Sequence, residues 1–193
     1  MKPGKIRTIL VICSFAILST LTYSGCKKPK TERQLQIEET HKVYQERIKD
    51  SYEISEASES REEAVASFLK SVASGKPDHY IFTKEEYLNI FLPNTLNEGT
   101  LTANMTEEEA WEITAVRRAA ALDHIKSTLK GIKPNQIKVE TIRWKKPIRK
   151  LNALDGYPIG VVEIRVGKEV RTIEEIRLVV GHKGKYKVCV IST

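Results

Sequence analysis

The chain has 193 residues, with 32 Lys and Arg against 25 Asp and Glu, a formal net charge of +7. That length suits one packed core of roughly 100–150 residues plus an extension. Its three cysteines, Cys13, Cys26 and Cys189, stand in unrelated contexts and supply no disulfide framework.

Residues 1–7 carry Lys2, Lys5 and Arg7 and no acid, and the stretch from Thr8 to Gly25 is uncharged. Its apolar heart runs from Ile9 to Leu18. A basic start and a short apolar run are the parts of a secretory signal peptide. The run is too short for a spanning helix, which needs roughly 20 apolar residues. The segment closes on Leu21-Thr22-Tyr23-Ser24-Gly25-Cys26. This resembles the lipobox of bacterial lipoproteins: Ser24 and Gly25 match its small-residue positions, while Tyr23 stands where Leu is usual. In that looseness it is similar to lipoboxes of spirochaete lipoproteins. The resemblance implies diacylglyceryl transfer to the Cys26 thiol, cleavage before Cys26 and acylation of the new amine, for example by palmitate. The membrane would then be the first partner, and the expected location is the cell envelope, at the outer membrane or the periplasmic face of the inner one. An uncleaved anchor and an ordinary cleaved signal are the alternatives, although no A-x-A site precedes Cys26. Cys189, flanked by Val188 and Val190, reads as a buried small hydrophobe.

The expected layout is a signal peptide over 1–25, the lipidated Cys and a stalk over 26–58, and one domain over 59–193. Leu35, Ile37, Val43, Tyr44, Ile48, Tyr52 and Ile54 hold no single helical stripe. Residues 27–58 are therefore expected to be flexible to partly helical and removable without unfolding the domain. Three capping signatures follow, at Ser60–Glu63, Thr83–Glu86 and Thr106–Glu109. They open a helix ending at Gly75, a shorter one stopped by Pro93, and the strongest helix of the chain, over about 107–130, with Gly131 beyond it. Residues 93–105 read as a loop. From Lys133 the apolar period changes from 3.6 to 2. Strands are expected at 136–144, weakly at 146–152, at 157–166, at 170–180 with a bulge near 173–175, and at 186–191. Asp155-Gly156, Gly167-Lys168 and residues 181–184 read as the turns between them.

Helices first and strands after predict an α+β fold, with N-terminal helices packed on one face of a curved antiparallel meander of about four strands. Residues Glu62–Gly75, Phe82–Tyr87 and the terminal hairpin Arg171–Val188 together resemble the nuclear transport factor 2-like (cystatin-like) fold over about residues 60–193. The resemblance implies a cone whose concave face either holds a small molecule or is filled. Enzymes and pure binding domains both occur on that fold, so it does not decide function.

The densest candidate site is Arg143, Trp144, Lys145, Lys146, Arg149 and Lys150. Five cations beside an aromatic suit anionic lipid, cell-wall polymer or acidic glycan; the other reading is an edge strand protected by Lys and Pro. Nucleic acid is not an expected partner of an exported chain. Residues 132–193 hold fourteen basic and six acidic residues, against fifteen and nineteen over 26–131. Asp123 and His124 diverge by about 100° on a helix and make a poor catalytic pair. His41, His79, His124 and His182 lie in separate elements, with His182 expected to be solvated in a turn. No metal-ligand spacing, phosphate loop or nucleophile motif stands out, so no cofactor and no catalytic residue are expected. A non-enzymatic binding or structural lipoprotein is the first expectation; a pocket-bearing small-molecule binder or enzyme is the second.

Overall fold

The computed structural model describes residues 29–193. The expected signal peptide and Cys26 lie outside the described residues. Helix α1 spans Glu32–Arg47, α2 Arg61–Ala73, α3 Lys84–Glu86 and α4 Glu107–Thr128. Strands follow: β1 Lys138–Trp144, β2 Arg149–Leu151, β3 Leu154–Val166, β4 Glu169–Ile173, β5 Ile176–His182 and β6 Lys185–Ile191. The fold is α+β, with the helices in the N-terminal half and one open antiparallel sheet of six strands.

The caps begin the helices as the side chains dictate. Thr83 and Thr106 each accept the N3 amide, and Glu86 and Glu109 reach back to the cap amide. Ser60 also caps α2, but Glu63 returns to the Glu59 amide instead. Gly75 and Gly131 take the left-handed conformation after α2 and α4. Beyond α3 the chain continues as a π-helical turn over Tyr87–Phe91 and then two 3-10 helices, Pro93–Glu98 and Leu101–Asn104. The loop expected at 93–105 is thus largely helical. Asn94 explains part of this: it is buried, donating to Ile90 O and Tyr52 Oη and accepting from the Ala153 amide.

β3 organises the sheet. Its first residues pair with β2 on one side and β5 on the other, and its later residues pair with β1 and β4. β6 pairs with β5. The six strands therefore arise from the five expected stretches, the one over 170–180 being interrupted at Glu174–Glu175. The break lies where the alternation would have turned Glu174 into the core. Asp155 and Gly156, expected as a turn, are inside β3. The turn is three residues earlier, at Asn152 and Ala153, with Asn152 at φ 48°. Gly156 serves packing: a Cβ there would meet Leu151 Cδ1 at 3.2 Å and Arg149 Cβ at 3.3 Å.

Both faces of the β5–β6 end are covered, where one covered face was expected. Val179 belongs to a core with Phe68 and Val65 of α2 and Ile125 of α4. Its neighbours Leu178 and Val180, which alternation sends to the opposite face, join Phe82, Tyr87, Phe91, Leu151 and Tyr44. The free edge of β6 is closed by coil: Ser58 and Tyr186 exchange two backbone bonds of 2.8 Å, and Tyr80 and Phe82 bond to Val188. Such closure removes a template for aggregation.

Residues 33–58, expected as stalk, belong to the same compact unit as the rest, Arg33–Thr193. Tyr44 is fully buried, and Tyr52 and Ile54 pack against the same core. α1 turns only Tyr44 fully inward, which is why its sequence shows no stripe. Ion pairs from Arg33 to Glu109 and from Arg47 to Glu107 join its two ends to α4.

Candidate functional site

The cations at 143–150 are mostly matched by acids. Arg143 pairs with Glu163 at 2.7 Å, Arg149 with Glu98 at 3.1 Å and Lys150 with Asp155 at 2.7 Å. Trp144 offers its face to the Arg61 guanidinium, 4.5 Å from the ring centroid, and its edge to Tyr157. Tyr186 extends this aromatic row, and Gly181 makes room for it: a Cβ there would stand 2.8 Å from the Tyr186 ring. Lys145 and Lys146 are exposed and have no ion pair among the described residues. The patch therefore presents two free charges, not five.

Charge is also buried on the second face, unannounced by the sequence pattern. Lys187 has no exposed surface and donates to Glu86 Oε2 at 2.8 Å and Ser55 Oγ at 3.3 Å. Glu86 further accepts from the amides of Thr83 and Ser55 and from the Ser55 hydroxyl. A buried pair survives desolvation only when its remaining lone pairs are satisfied this way. Arg118 of α4 donates to Phe82 O at 2.7 Å and Cys189 O at 3.4 Å and stacks on Trp111. Burial pulls its pKa below the ordinary arginine value and pushes the Cys189 thiol well up. Cys189 is a buried hydrophobe, inert as a nucleophile.

His182 is buried, not solvated as expected. Its Nε2 accepts the Tyr52 amide at 3.0 Å, so Nδ1 carries the proton and donates to Ala153 O at 2.9 Å. Its role is to fasten the 50s segment to the sheet. His79 faces Glu56, and His124 faces Glu175 instead of Asp123. Among the described residues no three His, Cys, Asp or Glu side chains gather to hold a metal.

A cavity of about 270 Å³ opens on the second face. Its floor is one rung of the sheet, Pro158, Leu178 and Val190, which pair across β3, β5 and β6. Tyr87 and Phe91 of the π-helical turn and the segment Thr100–Thr102 form its walls. Arg117 of α4, Arg149 of β2 and Arg177 of β5 bring three arginines, and no carboxylate among the described residues lines it. Arg177 Nε donates to Ser192 O at 3.1 Å, leaving its terminal nitrogens without a hydrogen bond among the described residues. Arg117 has no ion pair among them either. The Thr100 hydroxyl is buried and has no hydrogen-bond partner among the described residues. Tyr87 donates to Thr114, whose own hydroxyl donates to Ala110 O at 2.7 Å. Burial raises the Tyr87 pKa above its usual value.

A larger groove of about 490 Å³ runs between α2 and β1, but its charges cancel, Glu62 and Glu140 against Lys70 and Lys138. The arginine cavity is the better candidate because its charge is unbalanced and its floor apolar. Of the residues singled out in the sequence, it takes only Arg149. Arg117 and Arg177 escaped notice because each is a lone cation in an ordinary helix or strand. Only the tertiary fold joins them.

No helix among the described residues is long and apolar enough to cross a membrane. Comparison of the chain with protein-family models, with curated proteins and with solved structures finds no match in any of the three.

Proposed function

We propose that this chain is a lipoprotein of the cell envelope, tethered to a membrane through acylated Cys26, whose α+β domain binds a small ligand in the arginine-lined cavity without transforming it. The export signal and lipobox-like ending support the tether. The cavity's set of ionisable groups carries the binding reading. A general acid or base works best with a pKa near the operating pH. Guanidinium groups stay charged at any physiological pH, and burial moves Tyr87 further from neutrality. Such groups hold charge in place and do not exchange protons. The nuclear transport factor 2-like reading belongs to the same proposal. Helices followed by hairpin strands that break at residues 145–148 and 174–175, with a cavity between helix and sheet, support it.

Two measurements test the reading. Metabolic labelling with a fatty-acid analogue should tag the chain and fail in Cys26→Ala; a labelled alanine variant removes the anchor from the proposal. Thermal unfolding in rising phenylpropanoate or phenylpropanamide should show Tm climbing with the logarithm of ligand concentration for at least one of them. At a hundredfold excess over Kd, a ligand of the native state adds about 2.7 kcal/mol. No increase with either compound removes the cavity as a binding site.

A further inference from the structure

Resting on that binding reading, we infer that the ligand is a small amphipathic anion, a carboxylate carrying an apolar body, bound with its charge at Arg117 and Arg177 and its body on Leu178 and Val190. Three features converge on this class. First, the cavity holds cations of three separate elements and, among the described residues, no acid. Arg149 is already paired with Glu98, so the unmet positive charge is that of Arg117 and Arg177. A planar, forked guanidinium favours carboxylate oxygens because two parallel N–H···O bonds can form. Second, the floor is apolar across three strands, and Leu101 stands 56% exposed beside it. A bare inorganic anion would leave that surface in water. Third, the buried Thr100 hydroxyl lacks a partner among the described residues. A buried polar group in that state gains when a ligand supplies an acceptor. At roughly 30 Å³ for each water-sized group, a cavity of about 270 Å³ admits on the order of nine non-hydrogen atoms. Phenylpropanoate, with eleven, fits once part of it lies at the open mouth of the cavity, and a two-chain lipid is too large.

The test is titration calorimetry on the full mature chain in detergent micelles, with blanks into empty micelles. Phenylpropanoate should bind one to one, and the neutral phenylpropanamide at least tenfold more weakly. Acetate and phosphate should compete poorly. Arg117→Ala and Arg177→Ala should each weaken phenylpropanoate about ten- to hundredfold and the amide by less, since a neutral carbonyl is the weaker acceptor. Lysine at either position should restore part of the loss. Leu101→Ser, on an exposed residue that folding does not need, should weaken acid and amide alike. Equal binding of acid and amide overturns the anionic class while the binding reading stands. Phosphate or acetate matching phenylpropanoate overturns the apolar half of the inference. No binding of any compound overturns both.

Discussion

The chain gathers positive charge in two places, and they are built in opposite ways. Residues 143–150 put five cations side by side in sequence, yet Glu163, Glu98 and Asp155 neutralise three of them, and Arg61 covers the face of Trp144. The cavity draws Arg117, Arg149 and Arg177 from a helix and two strands, and two of these are without a carboxylate partner among the described residues. Two of the patch's counter-charges, Glu163 and Asp155, come from the neighbouring strand β3, because cross-strand pairs lie within reach, and Glu98 comes from the end of the 3-10 helix Pro93–Glu98. Isolated arginines facing an apolar floor find none. Density of charge in the sequence and availability of charge in the fold are thus different quantities.

If the second face is the working one, whatever holds its walls should matter most. The largest effect is expected from removing residues 29–58. This deletes buried Tyr44, the Tyr52 bond to His182, the Ser55 contacts with Glu86 and the Ser58 bridge to β6. Loss of one buried aromatic alone costs about 3–5 kcal/mol, so Tm should fall by more than about 10 °C. A shortened chain that melts near the full-length temperature would restore the stalk reading and detach the second face from its N-terminal support.

Next in size is Glu86→Leu. It strands the buried Lys187 ammonium by removing its carboxylate partner, one residue before Tyr87 of the cavity wall, at a cost of about 3–5 kcal/mol. Adding Lys187→Met should recover most of that, since a matched apolar pair replaces a matched ionic one. Urea melts of the two variants check this. A single variant as stable as the wild type would mean that the pair is not buried in solution.

Much of the architecture was legible: the α+β order, the three helix starts and the five expected stretches of the sheet follow from capping residues and from the change of period at Lys133. The parts that were not legible share one physical cause. Tyr44 is a single inward residue on an otherwise polar helix, His182 lies in what reads as a turn, and Lys187 alternates in an ordinary strand. Each is buried by contacts distant in sequence, and no local pattern carries that information. The cavity is illegible for the same reason: its floor is one rung of three strands, and its cations are 28 to 60 positions apart. The Thr83 capping box did mark Glu86, but as a cap and not as a salt-bridge partner.

The smallest effect is expected at the patch itself. Lys145→Glu with Lys146→Glu should change stability by no more than about 0.5 kcal/mol. It should abolish any low-salt attraction to anionic vesicles, since exposed charges are screened beyond about 8 Å at physiological salt. Phenylpropanoate affinity should not change. A loss of that affinity on reversing these two lysines would merge the two charge centres and break the comparison.

The most direct measurement is a crystal structure of the protein grown with phenylpropanoate. The carboxylate should lie within hydrogen-bonding distance of Arg117 and Arg177, with the ring on Leu178 and Val190. A carboxylate at Lys145 and Lys146, with the cavity holding only water, would contradict the account and return function to the basic edge.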